Sequence, residues 1–314
     1  MIIKTFDPVT MKEKETISQV ISVIYNKRFY KVGSFEIHTT SDKFEENDII
    51  AFMSEGKMHS GIVMKIFEST EKKIVSGYDL KGMYCFRYIT APTEYEGTPD
   101  AILKDIVTEY FTTGDRAIPK FSIMPSVIDG ENTVFLPENG YVEKAIESFG
   151  VIHEIGTDIC FDVSGKLEFT TLKGMDKSKY IKFGRKFHNI EKTEYTKDLF
   201  NTYNVGYSLD EEGNEFVIGE QKGLLRRECY KEKNISEYLS EKAATETLRA
   251  EANEKYKYGV DYDLGDYVTV IHQNKETVKQ ITEVKEVYEK NKRIIVPVFG
   301  VEKENPIKKI LRGE

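Results

Sequence analysis

The sequence is poor in cysteine and contains no tryptophan. Its three cysteines, Cys85, Cys160 and Cys229, stand far apart, and no Cys-x-x-Cys pair occurs. Disulfide frameworks and structural zinc sites both need paired, suitably spaced ligands. The sequence therefore argues against either class and predicts three reduced, mostly buried thiols.

Long apolar runs are also missing. No stretch approaches the ~18 consecutive apolar residues of a membrane-spanning helix. The first residues, Met1–Thr5, lack the charged-then-apolar pattern of a secretion signal. We therefore expect synthesis in the cytosol without secretion.

No block of basic residues stands out. The 45 Lys and Arg residues and 53 Asp and Glu residues are mixed along the chain, and the net charge is −8. A binder of single-stranded nucleic acid on a small barrel would need a basic groove with exposed aromatic residues. Tyrosine and phenylalanine are plentiful, at 19 and 18, but the net charge argues against this class.

Common catalytic signatures are absent as well. The phosphate-binding loops and the Gly-x-Ser-x-Gly elbow do not occur, and the five histidines are scattered. His153-Glu154 begins like a zinc-protease motif, but Gly156 and Thr157 break it. A glycosidase would need two carboxylates in one cleft, and the sequence alone cannot locate such a pair among 53 acidic residues.

One acidic cluster resembles the start of a calcium loop. Asp261 and Asp263 occupy its first and third positions, but Gly265 stands where the fifth oxygen ligand belongs. The favoured alternative is a tight turn, with Gly265 in a special backbone conformation and Asp266 capping it.

Alternating apolar residues predict strands in the first ninety residues. Ser34–Thr39 has the period of two that is typical of a half-buried strand. Ile49–Met53 and Gly61–Phe67 read as a hairpin around Gly56. Several strands in so short a stretch suit a small barrel or sandwich.

Helical patterns interrupt the strands three times. Thr98 and Pro99 are typical of a helix start. A second helix is predicted from Asn139 to Gly150, and a long one from Ser236 to about Tyr258.

Strands return between and after these helices. Residues 158–169 form the clearest hairpin, with Ser164-Gly165 as its turn. Val205–Ile218 predicts a second hairpin, and the end of the chain predicts a meander: Tyr267–Ile271, Lys279–Tyr288 and Lys292–Phe299, with a turn at Glu289-Lys290-Asn291.

A dense triplet of charges, Arg226-Arg227-Glu228, follows Gly223. On one side of a strand Arg226 and Glu228 would face the same way. We interpret them as an ion pair, either within the chain or between subunits, in preference to an anion site.

Ordered short segments give the sequence a resemblance to a known family. It resembles the Gp37-like tail proteins of siphoviruses, which are hub proteins of long-tailed phages of Gram-positive bacteria and relatives of baseplate hubs and type VI secretion spikes. The segments that carry this resemblance run from Tyr30 to Gly300: Tyr30–Ile37, Gly61–Ile66, Val75–Leu80, Arg87–Ile89, Asp162–Gly174, Tyr203–Tyr207, Gly223–Glu228, Tyr262–Val268, Ile281–Val284 and Pro297–Gly300.

The resemblance implies a mainly β fold with α insertions, built from two tube-like β-barrel domains. These domains would be residues 1–95 and 156–301, the latter including the helix 236–258. Residues 96–155 would be an α-containing insertion, and residues 302–314 a C-terminal tail.

The resemblance also implies a function without catalysis and without a cofactor or metal. Three copies would form a ring that continues the tail tube of the virion and adapts its six-fold symmetry to a three-fold tip. The partners would be the distal tail or tail tube protein, a tip, spike or receptor-binding protein, the tape-measure protein, and DNA that passes without specific binding. A tail enzyme that cleaves peptidoglycan or carbohydrate is the alternative.

The residues singled out are accordingly structural. Turns are predicted at five glycines, and subunit contact at the charged triplet Arg226, Arg227 and Glu228. The five glycines are Gly33, Gly77, Gly165, Gly265 and Gly300.

Overall fold

A computed structural model describes residues 1–300 except 55, 71, 126–127, 163, 200–201, 211, 233–234, 244, 254, 274 and 290–291. The predicted tail 302–314 and the predicted turn at residues 290–291 lie outside the described residues. Within the described part, no helix is long and apolar enough to cross a membrane.

The described residues are mostly strands with a few helices, which confirms the predicted mainly β fold class. The strands of the first half are β1 (Ile3–Phe6), β2 (Glu13–Ile17), β3 (Val20–Arg28), β4 (Ser34–Thr39), β5 (Ile49–Ser54), β6 (Lys57–Glu68), β7 (Lys73–Asp79), β8 (Tyr88–Ile89), β9 (Tyr95–Gly97), β10 (Phe121–Ile123), β11 (Thr133–Phe135) and β12 (Gly140–Tyr141).

The second half of the chain also consists mainly of strands. Its strands are β13 (Gly156–Phe161), β14 (Leu167–Leu172), β15 (Lys182–Phe183), β16 (Ile190–Asp198), β17 (Val205–Leu209), β18 (Glu215–Ile218), β19 (Glu228–Tyr230), β20 (Thr245–Ala252), β21 (Tyr267–His272), β22 (Lys275–Glu289) and β23 (Lys292–Phe299). The helices are α1 (Pro99–Phe111), α2 (Val142–His153) and α3 (Ile235–Glu241).

The chain divides into two compact units. Unit 1 comprises residues 1–192 and 250–299, and unit 2 comprises residues 193–249 and 300–314. These units do not follow the predicted boundaries at residues 95 and 155, because α1 and α2 share a hydrophobic cluster with strands from both sides of those boundaries. The division into two tube-like domains stays a prediction.

One large sheet organises unit 1. Its strands follow the order β23-β22-β3-β4-β7-β6-β5-β1-β2, and every neighbouring pair is antiparallel. The long strand β22 also pairs with β21 through its first residues, from Lys275 to Gln280, and with β3 through its last. A single strand therefore joins the N-terminal strands to the closing meander.

The first sheet region curls around an apolar interior. Ile3 and Ile17, on β1 and β2, belong to the same buried cluster as Val23 and Tyr25 on β3. The strands β3 and β5 lie four steps apart along the strand order, yet the rings of Tyr25 and Phe52 on them have centroids 5.9 Å apart, so the sheet curves back toward itself. The helices α1 and α2 and the hairpin β13–β14 contribute to a second cluster.

Local signals account well for α1. Thr98 caps it, since its side chain accepts a hydrogen bond from the amide of Ala101 at 3.3 Å, and Pro99 opens the helix. The second helix differs from its prediction. Its N-cap is Tyr141, two residues after the expected cap Asn139, so the helix begins at Val142, and it runs past Gly150 to His153.

The predicted long helix 236–258 is wrong. The helix α3 ends at Glu241, and Thr245–Ala252 is the strand β20. Its Leu248 and Ala250 are buried on one side, while on the other side Thr247 is buried and Arg249 partly exposed. Pairing within the sheet has overridden the helical propensity of a Glu-, Ala- and Leu-rich segment.

Candidate functional site

Four ionisable side chains meet between β6, β22 and β23 in unit 1. Glu286 Oε2 accepts hydrogen bonds from Arg293 Nε at 3.0 Å, from Arg293 Nη2 at 2.6 Å and from the Tyr288 hydroxyl at 2.5 Å. His59 Nε2 lies 3.7 Å from Glu286 Oε1. Glu286 and Tyr288 are two positions apart on β22 and so face the same side, and Arg293 is the register partner of Tyr288 on β23.

Glu286 and His59, two of the four side chains, are almost completely buried. Glu286 is 0% exposed and its Oε1 has no hydrogen-bond partner, while His59 is 4% exposed. Burial lowers the pKa of His59 to about 4, against the opposing charge of Glu286. The imidazole is therefore neutral at pH 7, and Arg293 is the ion-pair partner of Glu286.

Aromatic rings enclose the histidine. The ring of Phe52 stacks on His59 with centroids 5.0 Å apart, and Tyr25 meets its edge at 4.8 Å. A carboxylate that is wholly buried and held by an arginine cannot reach a polysaccharide, whereas a glycosidase needs two carboxylates open to the substrate. The cluster can stabilise the joint between β6 and β22, but its geometry does not suit hydrolysis.

A shallow cleft of about 330 Å³ lies beside the cluster. Tyr288 and Arg293 form part of its wall, and strand ends form the rest. The lining residues are Met1, Val20, Ile21, Ser22, Val23, Ser54, Tyr288, Glu289, Lys292 and Arg293.

A second buried charge network links β3 to the hairpin β13–β14. Lys27 Nζ lies 2.5 Å from Asp158 Oδ2. Burial alone would lower the pKa of Lys27 and raise that of Asp158, but their mutual attraction outweighs burial and shifts each pKa in the opposite direction. Both groups therefore stay charged, and the pair fastens the hairpin to the sheet.

Lys81 completes this network from the short turn after β7. Its Nζ donates to the carbonyl of Lys31 at 2.6 Å and to that of Arg28. Burial lowers the pKa of Lys81 and raises the pKa of its neighbour Asp79. The ammonium group thereby ties down the backbone that connects β3 to β4.

Two of the glycines predicted at turns lie where another backbone segment passes too close to leave room for a side chain. Gly77 lies inside β7, not in a turn, and a Cβ there would stand 1.9 Å from the carbonyl oxygen of Ile62 on β6. Gly33 precedes β4, where a Cβ would stand 2.3 Å from the carbonyl oxygen of Asn26. The prediction of a turn at Gly77 is therefore wrong, and backbone proximity explains the residue better.

The other three glycines have positive φ angles. Gly165, with φ 79°, lies in the turn of the hairpin β13–β14. Gly265, with φ 93°, precedes β21, and Gly300, with φ 90°, follows β23. Residues with a side chain rarely adopt such positive φ angles, so glycine is favoured at all three positions.

The acidic loop before β21 has its own cationic partners. Lys177 Nζ lies 2.9 Å from Asp266 Oδ2, and Lys57 Nζ lies 3.2 Å from Asp263 Oδ2. Asp261 Oδ2 accepts a hydrogen bond from the amide of Lys257 at 2.7 Å. Among the described residues no group of three or more potential ligands could hold a metal ion.

The charged triplet forms a network within unit 2. Arg226 pairs with Glu228, and its Nη2 donates to the hydroxyl of Tyr207 at 2.8 Å. Arg227 uses its backbone amide, which donates to Asn204 Oδ1 at 2.9 Å. The ion pair within the chain is thus present, and the predicted contact with another subunit stays a prediction.

Sequence reasoning missed Glu286 and His59. A signal for Glu286 was available, since it shares the inward register of β22 with Val284, which is also 0% exposed. An acidic residue at an inward position of an alternating strand points to a buried partner. His59 carried no comparable signal, because its neighbours in the sequence do not identify Glu286.

Comparisons with known proteins agree with the family resemblance. The model of the family described as Siphovirus ReqiPepy6 Gp37-like protein matches residues 232–301. No curated protein matches the chain. The resemblance to Gp37-like tail proteins is confirmed.

Solved structures match over nearly the whole chain. A tail protein from Neisseria meningitidis MC58 has a TM-score of 0.60 at 14% identity, covering 96% of this chain and 97% of that one. A 43 kDa tail protein of prophage MuSo2 from Shewanella oneidensis has a TM-score of 0.59 at 12% identity, covering 95% and 96%. The prophage tail protein gp18 from Listeria monocytogenes EGD-e has a TM-score of 0.57 at 12% identity, covering 99% and 98%. At such low identity these matches establish a shared fold.

Proposed function

We propose that this chain, which resembles the Gp37-like siphovirus tail proteins, is a structural component of a phage or prophage tail. The observation that carries the proposal is the shared fold, since three tail proteins match over at least 95% of both chains. The match to the family model at residues 232–301 points in the same direction. Its place would be the virion tail, after assembly in the bacterial cytoplasm.

The more specific role is that of a hub. Three copies form a ring that continues the tail tube and adapts its six-fold symmetry to a three-fold tip. This requires two tube-like barrels in each chain, so that three chains supply six. The curled sheet around the cluster of Ile3, Val23 and Phe35 supports the first barrel. The meander β21–β22–β23, which continues from the same long strand, supports the second.

Such a hub would contact other tail components. The expected partners are the distal tail or tail tube protein on one side, and a tip, spike or receptor-binding protein on the other. The tape-measure protein and DNA would pass through the ring. The net charge of −8 favours passage of DNA without specific binding, since like charges repel.

Catalysis is not part of this proposal. The most conspicuous acid–base cluster contains a carboxylate that is 0% exposed and paired with Arg293. Its role is accounted for by stability, so no specific observation favours the peptidoglycan-cleaving alternative.

The mass of the purified protein in solution tests the proposal, followed by negative-stain imaging. We expect three times the chain mass of 36.2 kDa and a ring with a central hole. A monomer at every concentration, both alone and with a tail tube protein, would contradict the hub role. A cell-wall clearing assay tests the alternative, and turnover by the intact protein would overturn the assignment as a non-enzyme.

A further inference from the structure

Asn139 is predicted from the sequence as the cap of α2, but the structure gives that role to another residue. The N-cap is Tyr141, and it makes no side-chain hydrogen bond to the helix. Asn139 lies two positions earlier and is exposed. Capping therefore does not hold the side-chain amide of Asn139, and the amide is open to water.

The residue that follows Asn139 leaves the neighbouring backbone nitrogen accessible. Asn139-Gly140 is the only Asn-Gly dipeptide of the sequence. Glycine has no Cβ to shield its amide nitrogen. In the part of the chain that the structure describes, nothing except the two chain neighbours lies within 4 Å of the place where a Cβ of Gly140 would stand. The nitrogen of Gly140 can therefore approach the side-chain carbonyl carbon of Asn139 without hindrance.

A short strand pairing is the restraint on this nitrogen. Gly140 and Tyr141 are the two residues of β12, and they pair with Ile89 and Tyr88, the two residues of β8. So short a pairing belongs to the least stable parts of a fold, which open locally far more often than the whole protein unfolds. The Gly140 amide is therefore released repeatedly while the rest of the fold stays intact.

We propose that Asn139 is a site of spontaneous deamidation in the folded protein. The Gly140 nitrogen loses its proton to the solvent and bonds to Cγ of Asn139, and the bond from Cγ to Nδ2 breaks as ammonia leaves with a proton from the solvent. Water then opens the cyclic imide at either of its two carbonyl carbons. The product is an aspartate or an isoaspartate at position 139, and the reaction needs no oxidant or reductant.

The isoaspartate product should loosen the start of α2. It carries the backbone through the former side chain, so it adds one carbon to the chain directly before β12. Tyr141 and Tyr88, whose ring centroids are 5.4 Å apart, would then lose their register across the strand pair. Because Tyr141 is also the N-cap and the next residue, Val142, is 0% exposed, the same shift acts on the buried first turn of the helix. The aspartate product keeps the backbone and adds only a charge at an exposed position.

Mass spectrometry of peptides from the aged full chain tests the proposal. The folded protein is incubated at pH 6 and at pH 8, and chromatography separates the aspartate and isoaspartate peptides. We expect the peptide that contains residue 139 to gain the mass of an amide-to-acid conversion, several-fold faster at pH 8, because the attacking nitrogen must first lose its proton. Asn132 is the control within the same chain: it is also exposed, but it precedes Thr133, whose branched side chain hinders the attack, so it should stay unmodified.

Two variants at position 139 separate the chemistry from its structural effect. Asn139→Gln keeps an exposed side-chain amide, but the longer side chain would have to close a larger ring, so the modification should be lost while the circular dichroism of the fresh protein is unchanged. Asn139→Asp reproduces the charge of the aspartate product without the added backbone carbon. Wild-type protein in which isoaspartate has accumulated should therefore have a lower thermal midpoint than Asn139→Asp, and equal midpoints would overturn the predicted loosening of α2.

A sample unfolded in urea shows whether the fold permits the reaction. Modification of Asn139 in the unfolded protein but not in the native protein would overturn the inference, because the pairing of β12 with β8 would then hold Gly140 too firmly for attack. Equal rates at Asn139 and Asn132 would also overturn it, because the glycine would then have no part in the reaction. The inference does not depend on the proposed function, since neither the reaction nor its test involves a tail component.

Discussion

Lowering the pH should reduce the free energy of unfolding of this protein, and His59 is the group that causes the reduction. The imidazole is enclosed by Phe52 and Tyr25, and burial holds its pKa at about 4. In the unfolded chain the same group should titrate near 6.5. Between these values the unfolded state binds more protons than the folded state, so the free energy of unfolding falls as the pH falls through that window.

The size of the effect follows from the two pKa values. At 1.36 kcal/mol for each unit of difference, the full contribution is about 3 kcal/mol below pH 4. Between pH 7 and pH 5 the expected loss is about 2 kcal/mol. Above about pH 7.5 the imidazole is almost entirely neutral in both states and contributes almost no pH dependence.

Urea unfolding at pH 7, 6 and 5 measures this loss. The variant His59→Gln cannot titrate, so its free energy of unfolding should fall by about 2 kcal/mol less than that of the wild type over the same range. Equal slopes for His59→Gln and the wild type would refute the reasoning, as would a proton resonance of His59 that titrates near pH 6.5.

Two further substitutions test how the sheet of unit 1 is held together. Gly77→Ala should lower the free energy of unfolding by at least about 2 kcal/mol, because its methyl group would overlap a carbonyl of the neighbouring strand. Gly130→Ala is the comparison: it lies at an exposed site without a positive φ, and its methyl group would meet only the ring of Pro99, at 3.2 Å. Its urea midpoint should fall clearly less than that of Gly77→Ala, and equal effects would contradict the argument. Glu286→Gln should cost about 3 kcal/mol at pH 7 because its arginine partner loses its counter-charge. The comparison is Glu13→Gln, which breaks the exposed pair with Lys4 and should leave the thermal midpoint nearly unchanged, so a stability loss confined to Glu13→Gln would reverse the assignment.

Local signals in the sequence predicted local structure well. Thr98 and Pro99 mark the start of α1, and the alternation of residues 158–169 marks the hairpin β13–β14. Both signals act between residues a few positions apart, where capping and side-chain periodicity are physically decided. The mainly β character of the chain followed from the same patterns, and the order of weak motifs pointed to the resemblance to Gp37-like tail proteins.

Long-range pairing decided the rest. The segment Thr245–Ala252 has the composition of a helix, and only the sheet makes it the strand β20. Gly77 has no local reason to be glycine, since the carbonyl that excludes a side chain there belongs to β6. Likewise, Glu286 and His59 are 227 positions apart by their residue numbers, and the fold alone brings them together. The sequence by itself determined the fold class and the elements with strong local signals. The tertiary structure decided the state of segments such as Thr245–Ala252, which charges are buried and which apolar side chains stay exposed, because these depend on contacts between distant residues.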